Sequence, residues 1–187
     1  GGEVYVAFAF PAAGWNRPER VLPLDLLQCL IGQGRGAALY QSLKEQQGLC
    51  SSIGAGYPTH EAESLLVVTA TCRPDQLSAL REALLRELAR LADSPPTAEE
   101  IERARRLLAS AHRFSLETTG GLSSQIGYTF TVSGNLQYLE RYLEDLEAVM
   151  AEQVRAAAAE CFAPEIACSR MVEVAVGPDG AEGENRP

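Results

Sequence analysis

The sequence predicts an α+β domain, a mainly antiparallel sheet covered by helices, on three observations. Period-2 alternation opens and closes the folded part, at residues 4–10 and 171–176; a strand pair occupies residues 50–72; and from residue 77 to 161 apolar side chains recur every three or four positions. Strands and helices arriving in runs, not in strict alternation, place the helices on one face of an antiparallel sheet.

Val4, Val6, Phe8 and Phe10 alternate with Tyr5, Ala7 and Ala9, so the first strand has one buried face, with Pro11 as its expected end. A loop rich in Pro, Gly and Arg leads to LPLDLLQCL, residues 22–30, a short buried helix stopped by Gly32. A second helix is expected over residues 37–47, with Leu39, Tyr40 and Leu43 on one side and Gly48 as its stop. CSSIGAGYPT and SLLVVTATC, separated by a polar turn, read as a hairpin. Beyond Pro74 the period becomes helical, with Leu77, Leu80, Leu84, Leu88 and Leu91 in one stripe before Pro95 and Pro96.

Thr97 and Glu100 have the spacing of a capping box, and Ile101, Ala104, Leu107, Leu108 and Ala111 continue that helix toward Phe114. Gly120 and Gly121 break or bend it before LSSQIGYTFTV. Two more helices follow Gly134, one carrying Leu139, Tyr142, Leu143, Leu146 and Val149, the other Val154, Ala157, Ala158 and Cys161. MVEVAV closes the domain as a strand, making four or so helices between the hairpin and the end.

One domain over residues 1–176 accounts for this order, with a tail over 177–187, GPDGAEGENRP, that has almost nothing to bury and is expected to be flexible. A chain of 187 residues with 46% hydrophobic content can fill one core. Its net charge of −9 argues against nucleic acid as a partner, since phosphate binding needs clustered Lys and Arg. No apolar run approaches the roughly 20 residues that cross a bilayer, so no membrane is expected and a soluble, cytoplasmic setting is favoured. The first residues carry no basic leader and no Met, as in a domain excised from a longer chain. Cysteines at 29, 50, 72, 161 and 168 have neither the even count of a disulfide framework nor the close pairs of a zinc knuckle, and read as buried free thiols.

Residues 30–53, LIGQGRGAALYQSLKEQQGLCSSI, carry the most information. They resemble the C-terminal, non-catalytic domain of the pitrilysin and processing-peptidase family of zinc peptidases. There a glycine-containing loop precedes a helix and strand matched here by Gly32, Gly34, Leu39, Tyr40, Gln41, Leu43, Glu45, Gly48, Leu49 and Ser52. The opening strand ending in FPA, the PPTAEEIERARRLL helix entry and the final VGP extend the likeness over about residues 3–178.

The resemblance implies the metallohydrolase fold shared by processing peptidases and LuxS, and a chamber built from two similar halves. Only one half carries the inverted zinc motif H-x-x-E-H, whose Glu activates a metal-bound water. This chain has only His60 and His112, too far apart for that motif, so it is expected to hold no metal and no catalytic residue and to be inactive alone. Zinc is expected in a catalytic partner half or subunit; the other implied partners are an unfolded peptide and a dimeric assembly.

The non-catalytic half of the family contributes an Arg and a Tyr, seven residues apart, that hold the substrate and stabilise the oxyanion. By the resemblance those positions are Lys44 and Ser51, with Gly32 and Gly34 in the adjoining loop as further substrate-binding candidates. Lys keeps the charge without the planar fork of Arg, Ser is shorter than Tyr, and Ala38 stands where the family has another Arg. The expected function is a non-catalytic domain that closes a proteolytic chamber and binds peptide. Its alternative is a degenerate structural or interaction module of the same fold. The glycine loop lacks the Lys-Ser/Thr ending of a phosphate-binding loop. Lys44 as an ordinary surface residue and Ser51 as an ordinary strand residue are the plain counterparts of these roles.

Overall fold

The computed structural model describes residues 2–177; the expected flexible tail lies, from residue 178 on, outside the described residues. Four strands, β1 (Val4–Ala13), β2 (Ser52–Gly56), β3 (Glu63–Cys72) and β4 (Val172–Val176), form one antiparallel sheet in the order β2-β3-β1-β4. The described residues also form seven α-helices, α1 (Pro18–Gly32), α2 (Leu77–Asp93), α3 (Ala98–Leu116), α4 (Thr119–Ser133), α5 (Gln137–Ala148), α6 (Ala151–Phe162) and α7 (Pro164–Arg170), together with a π-helix (Tyr40–Gln46) and a short 3-10 turn (Pro74–Gln76). The architecture is the α+β one that the pattern predicts, with the helices on one face of the sheet.

That face is chosen by the alternation in β1. Val4, Val6, Phe8 and Phe10 are buried with Leu66, Val68 and Ala70 of β3, and Phe10 meets Phe162 of α6 edge to face at 5.0 Å. Helix α1 lies in the middle, packed on β1 and β2 on one side and on α3 and α6 on the other, and Val21 to Ile31 are buried all round except Asp25. A helix apolar on every side is an interior helix. Helix α2 packs on α6, while α4 and α5 pack on α3 and on each other, with Tyr128 of α4 reaching Thr59 and Tyr138 of α5 reaching Trp15.

The opposite face of the sheet has no covering layer among the described residues. The register places Tyr5 against Val176, Ala7 against Val174 and Ala9 against Val172, and Tyr5, Val172, Val174 and Val176 are 50–62% exposed. Leu65, across from Pro11 at the far end of β3, adds to this apolar band.

Strand β1 does not end at Pro11 as expected but runs to Ala13. Beyond Ala9 it has lost β4 and is paired only with β3, and proline is tolerated where a strand has become an edge. Helix α1 starts four residues earlier than expected, because Pro18 fits the first helical turn. The expected second helix is a π-helix over Tyr40–Gln46, whose wider turn shows in the Gln47 amide donating to the Ser42 carbonyl at 3.1 Å.

The capping box forms: the Glu100 amide donates to Thr97 Oγ1 at 3.3 Å and the Thr97 amide to Glu100 Oε2 at 2.8 Å. The break near Gly120 falls at Thr118, whose hydroxyl accepts from the Gly121 amide at 3.0 Å and starts α4. LSSQIGYTFTV is therefore helical. Helix α7 was not expected, and the hairpin is followed by six α-helices instead of four or so.

Candidate functional site

The glycine loop is shaped by packing. A Cβ on Gly32 would lie 2.2 Å from the Ala55 nitrogen and 2.4 Å from the Ala55 Cβ, so the end of α1 rests directly on β2. The Gln28 side-chain amide donates to the Ala55 carbonyl at 2.7 Å and pins the same contact. Gly34 then turns the chain at φ +76, in the left-handed region that favours glycine. The two glycines have separate structural reasons, and neither needs a ligand.

From that turn the chain enters the π-helix, which anchors itself through buried Leu39 and Leu43 and presents Tyr40 and Lys44 together. The Lys44 ammonium lies 4.9 Å from the Tyr40 ring centroid and makes no ion pair among the described residues. Its charge opposes the rise that burial, together with nearby Cys72, imposes on the Cys50 thiol, so Lys44 lies near the start of the next strand. Ser51 is exposed there, its hydroxyl 2.9 Å from Glu3 Oε1 and 3.2 Å from the Thr71 carbonyl. Beside this segment a cavity of about 290 Å³ is bordered by Gly36, Gln41 and Ser42 and, across it, by Glu87 and Arg103. Lys44 and Ser51 do not line it. The segment thus has two sides, one toward the cavity and one carrying Lys44 beside the strand of Ser51.

A second cavity, of about 420 Å³, escaped the sequence reading. Asp25 of α1 lines it with an aromatic wall from three other places: Tyr57 after β2, His112 of α3, and Tyr138 and Tyr142 of α5. Trp15 meets Tyr138 edge to face at 4.4 Å, and His112 stacks on Tyr142 at 4.4 Å with its ring face. Burial pushes the Asp25 carboxyl up to about 7, and no donor or cation among the described residues offsets it. The signal for this site was a single Asp inside an otherwise apolar helical run. The same burial raises the Tyr57, Tyr138 and Tyr142 hydroxyls, with Asp25 adding to each, and lowers His112, helped by the charge of Arg113.

Cys29, Cys50, Cys72 and Cys161 are buried, unpaired thiols, as the sequence reading has them; the side chain of Cys168 lies outside the described residues. Burial pushes Cys29 up to about 11 and Cys161 up to about 12, which keeps both protonated and poorly nucleophilic. Among the described residues no group of three or more His, Cys, Asp or Glu could hold a metal ion. His60 is exposed in the turn after β2, and its carbonyl accepts from the Trp15 amide at 2.9 Å. Among the described residues the donor set does not fit a catalytic zinc.

The chain is similar to the Bacillus subtilis protein named uncharacterized zinc protease YmxG, with 26% identity over 149 residues, covering 80% of this chain and 36% of that protein. Across the first three such zinc-protease relatives the chain spans 30–41% of their length. Its fold matches that of a solved peptidase M16 inactive domain from Pseudomonas fluorescens, with a TM-score of 0.80 and 20% identity over 94% of this chain and 41% of that one. It also matches a chain of complex III2 from Candida albicans, with a TM-score of 0.73 and 17% identity over 92% of this chain and 42% of that one. The family model for the peptidase M16 inactive domain covers residues 2–108, from β1 through the glycine loop, the π-helix and the hairpin into α3, and this chain belongs to that family.

Proposed function

We propose that this domain is the non-catalytic part of a zinc metallopeptidase, closing the proteolytic chamber against a catalytic half and holding peptide beside it. The observation that carries the reading is the apolar sheet face of Tyr5, Val172, Val174 and Val176, left uncovered among the described residues of a chain that spans 30–41% of its zinc-protease relatives. A contiguous exposed apolar face is what a partner buries. Zinc and the water-activating Glu belong to the partner half in this reading, and Lys44, free of ion pairs among the described residues, is the cation offered to the peptide. Ser51 stands immediately before the adjoining strand β2, with Gly32 and Gly34 setting the loop that aims the π-helix.

A second reading, a structural or interaction module, is favoured by two observations. The Ser51 hydroxyl already faces two acceptors, Glu3 and Thr71, and the fold recurs in a complex III2 chain. The two readings part in a reconstituted complex with the catalytic half. Replacing Lys44→Arg together with Ser51→Tyr supplies a planar fork and a phenol as oriented donors, and peptide hydrolysis should rise by about ten- to a thousandfold. A complex that assembles normally yet shows unchanged hydrolysis and peptide affinity would replace the substrate role with the interaction module.

A further inference from the structure

The cavity around Asp25 has no part in the role proposed for Lys44 and Ser51, and its chemistry asks for a guest. A carboxylate with little access to water is stabilised by a cation or several donors, and Asp25, which keeps only partial exposure, has neither among the described residues. The wall facing it is built from ring faces and edges: Trp15 on Tyr138, Tyr138 on Tyr142 at 5.8 Å, and His112 on Tyr142. Aromatic faces attract positive charge through their quadrupole, and the attraction grows as water is removed. His112 cannot supply that charge at neutral pH, because burial and the neighbouring Arg113 hold its ring in the neutral form. Tyr57 and Tyr128 spend their hydroxyl protons on the Ala13 and Thr59 carbonyls, at 2.5 and 2.6 Å, so neither donates to Asp25. Trp15, on the same wall, buries an indole N–H with no acceptor among the described residues.

We propose that this cavity binds an organic cation, an alkylammonium or guanidinium group seated between the aromatic wall and the Asp25 carboxylate. A volume of about 420 Å³ accommodates a lysine or arginine side chain, or a free amine of that size. The chain's net charge of −9 favours the approach of such a guest. Both sources present the same chemistry to the site: a point or planar positive charge on an apolar stem, the stem against the Tyr138 and Tyr142 rings.

Trp15 is the chain's single tryptophan and sits in the cavity wall, so its fluorescence reports occupancy. The chain should be titrated with butylammonium, with methylguanidinium, and with a short capped peptide carrying one arginine beside its citrulline counterpart. The expected result is a saturable fluorescence change with a cationic probe, roughly tenfold or more weaker for citrulline and lost in Asp25→Asn. Tyr142→Leu should weaken it by about threefold or more while the charge remains. Binding of the small cations alone assigns the site to a free amine, and binding of the arginine peptide assigns it to a basic side chain. The Asn variant must retain the helical circular dichroism of the parent; if it does not, Tyr142→Leu and the citrulline comparison decide. Equal binding of citrulline and arginine, undiminished binding in a folded Asn variant, or no saturable change with any cationic probe at millimolar concentration would overturn the proposal. Because Lys44 and Ser51 lie outside this cavity, Lys44→Arg with Ser51→Tyr should leave these titrations unchanged, whatever that pair does to peptide hydrolysis.

Discussion

At the scale of single residues, Gly32 and Gly34 show how one glycine loop can rest on two different physical demands. An alanine at 32 must push α1 away from the backbone of Ala55, whereas an alanine at 34 meets no atom within 4 Å and pays only for its left-handed φ. Gly34→Ala should therefore cost about 1 kcal/mol, and Gly32→Ala about 2 kcal/mol or more, since overpacking against backbone cannot be relieved by a rotamer change. Urea denaturation of the two variants checks the order. Asp25 sets a pH dependence of its own. Its carboxyl rises from 3.8 in the unfolded chain to about 7 in the fold, so between those values the folded state keeps a proton that the unfolded state has released. Its contribution to stability is therefore fully present below about pH 4 and is lost as pH rises toward about 7. His112, lowered in the fold, runs the opposite way, and the Tyr and Cys groups facing Asp25 stay neutral throughout, so the wild type minus Asp25→Asn difference isolates the carboxyl. The Asn variant should be more stable than the parent by roughly 2–4 kcal/mol at about pH 8, and the gap should close by about pH 4. A gap that does not change with pH would show that the carboxyl is not desolvated.

At the scale of elements, legibility followed the kind of signal each segment carries. Strand β1, the hairpin, α2 and α3 were readable because burial imposes a period on their side chains, and α3 announced its first turn through Thr97 and Glu100. The π-helix was read as an ordinary helix, because a change in hydrogen-bond register leaves the apolar spacing of Leu39 and Leu43 almost intact. Helix α4 has no clear signature in the sequence, since its β-branched and aromatic residues argue against its helical state and tertiary packing overrides that preference. The uncovered sheet face makes a prediction at this scale. Val174 lies at its centre, exposed, so Val174→Asp should change the stability of the domain alone by no more than about 0.5 kcal/mol. The same substitution should weaken association with a catalytic half by about tenfold or more, because an unpaired carboxylate would be buried in an apolar interface. Pull-down against the reconstituted partner together with a thermal melt of the free domain separates the two effects; normal association would mean that this face does not meet the partner.

At the scale of the whole molecule, the frame was legible and the two cavities were not. The arrangement of Asp25, Tyr57, His112 and Tyr142 depends on four segments that are distant in sequence, and nothing in the spacing of any one of them points to the others. Lys44 and Ser51, by contrast, lie in one continuous stretch, and a single turn at Gly48 keeps them on neighbouring elements. The sheet order carries one more consequence, for how the chain comes off the ribosome. β1 is an interior strand, but its two neighbours arrive at very different times: β3 pairs with it from residue 63 onward, β4 only when residues 172–176 have been made. Until then VYVAFAF presents one bare edge, uncharged and without proline, which is the profile of a segment that recruits other strands. Synthesis of the six helices between them is thus an interval of exposure, and a chain stopped before Met171 should aggregate on release, whereas one carried through Val176 should stay in solution.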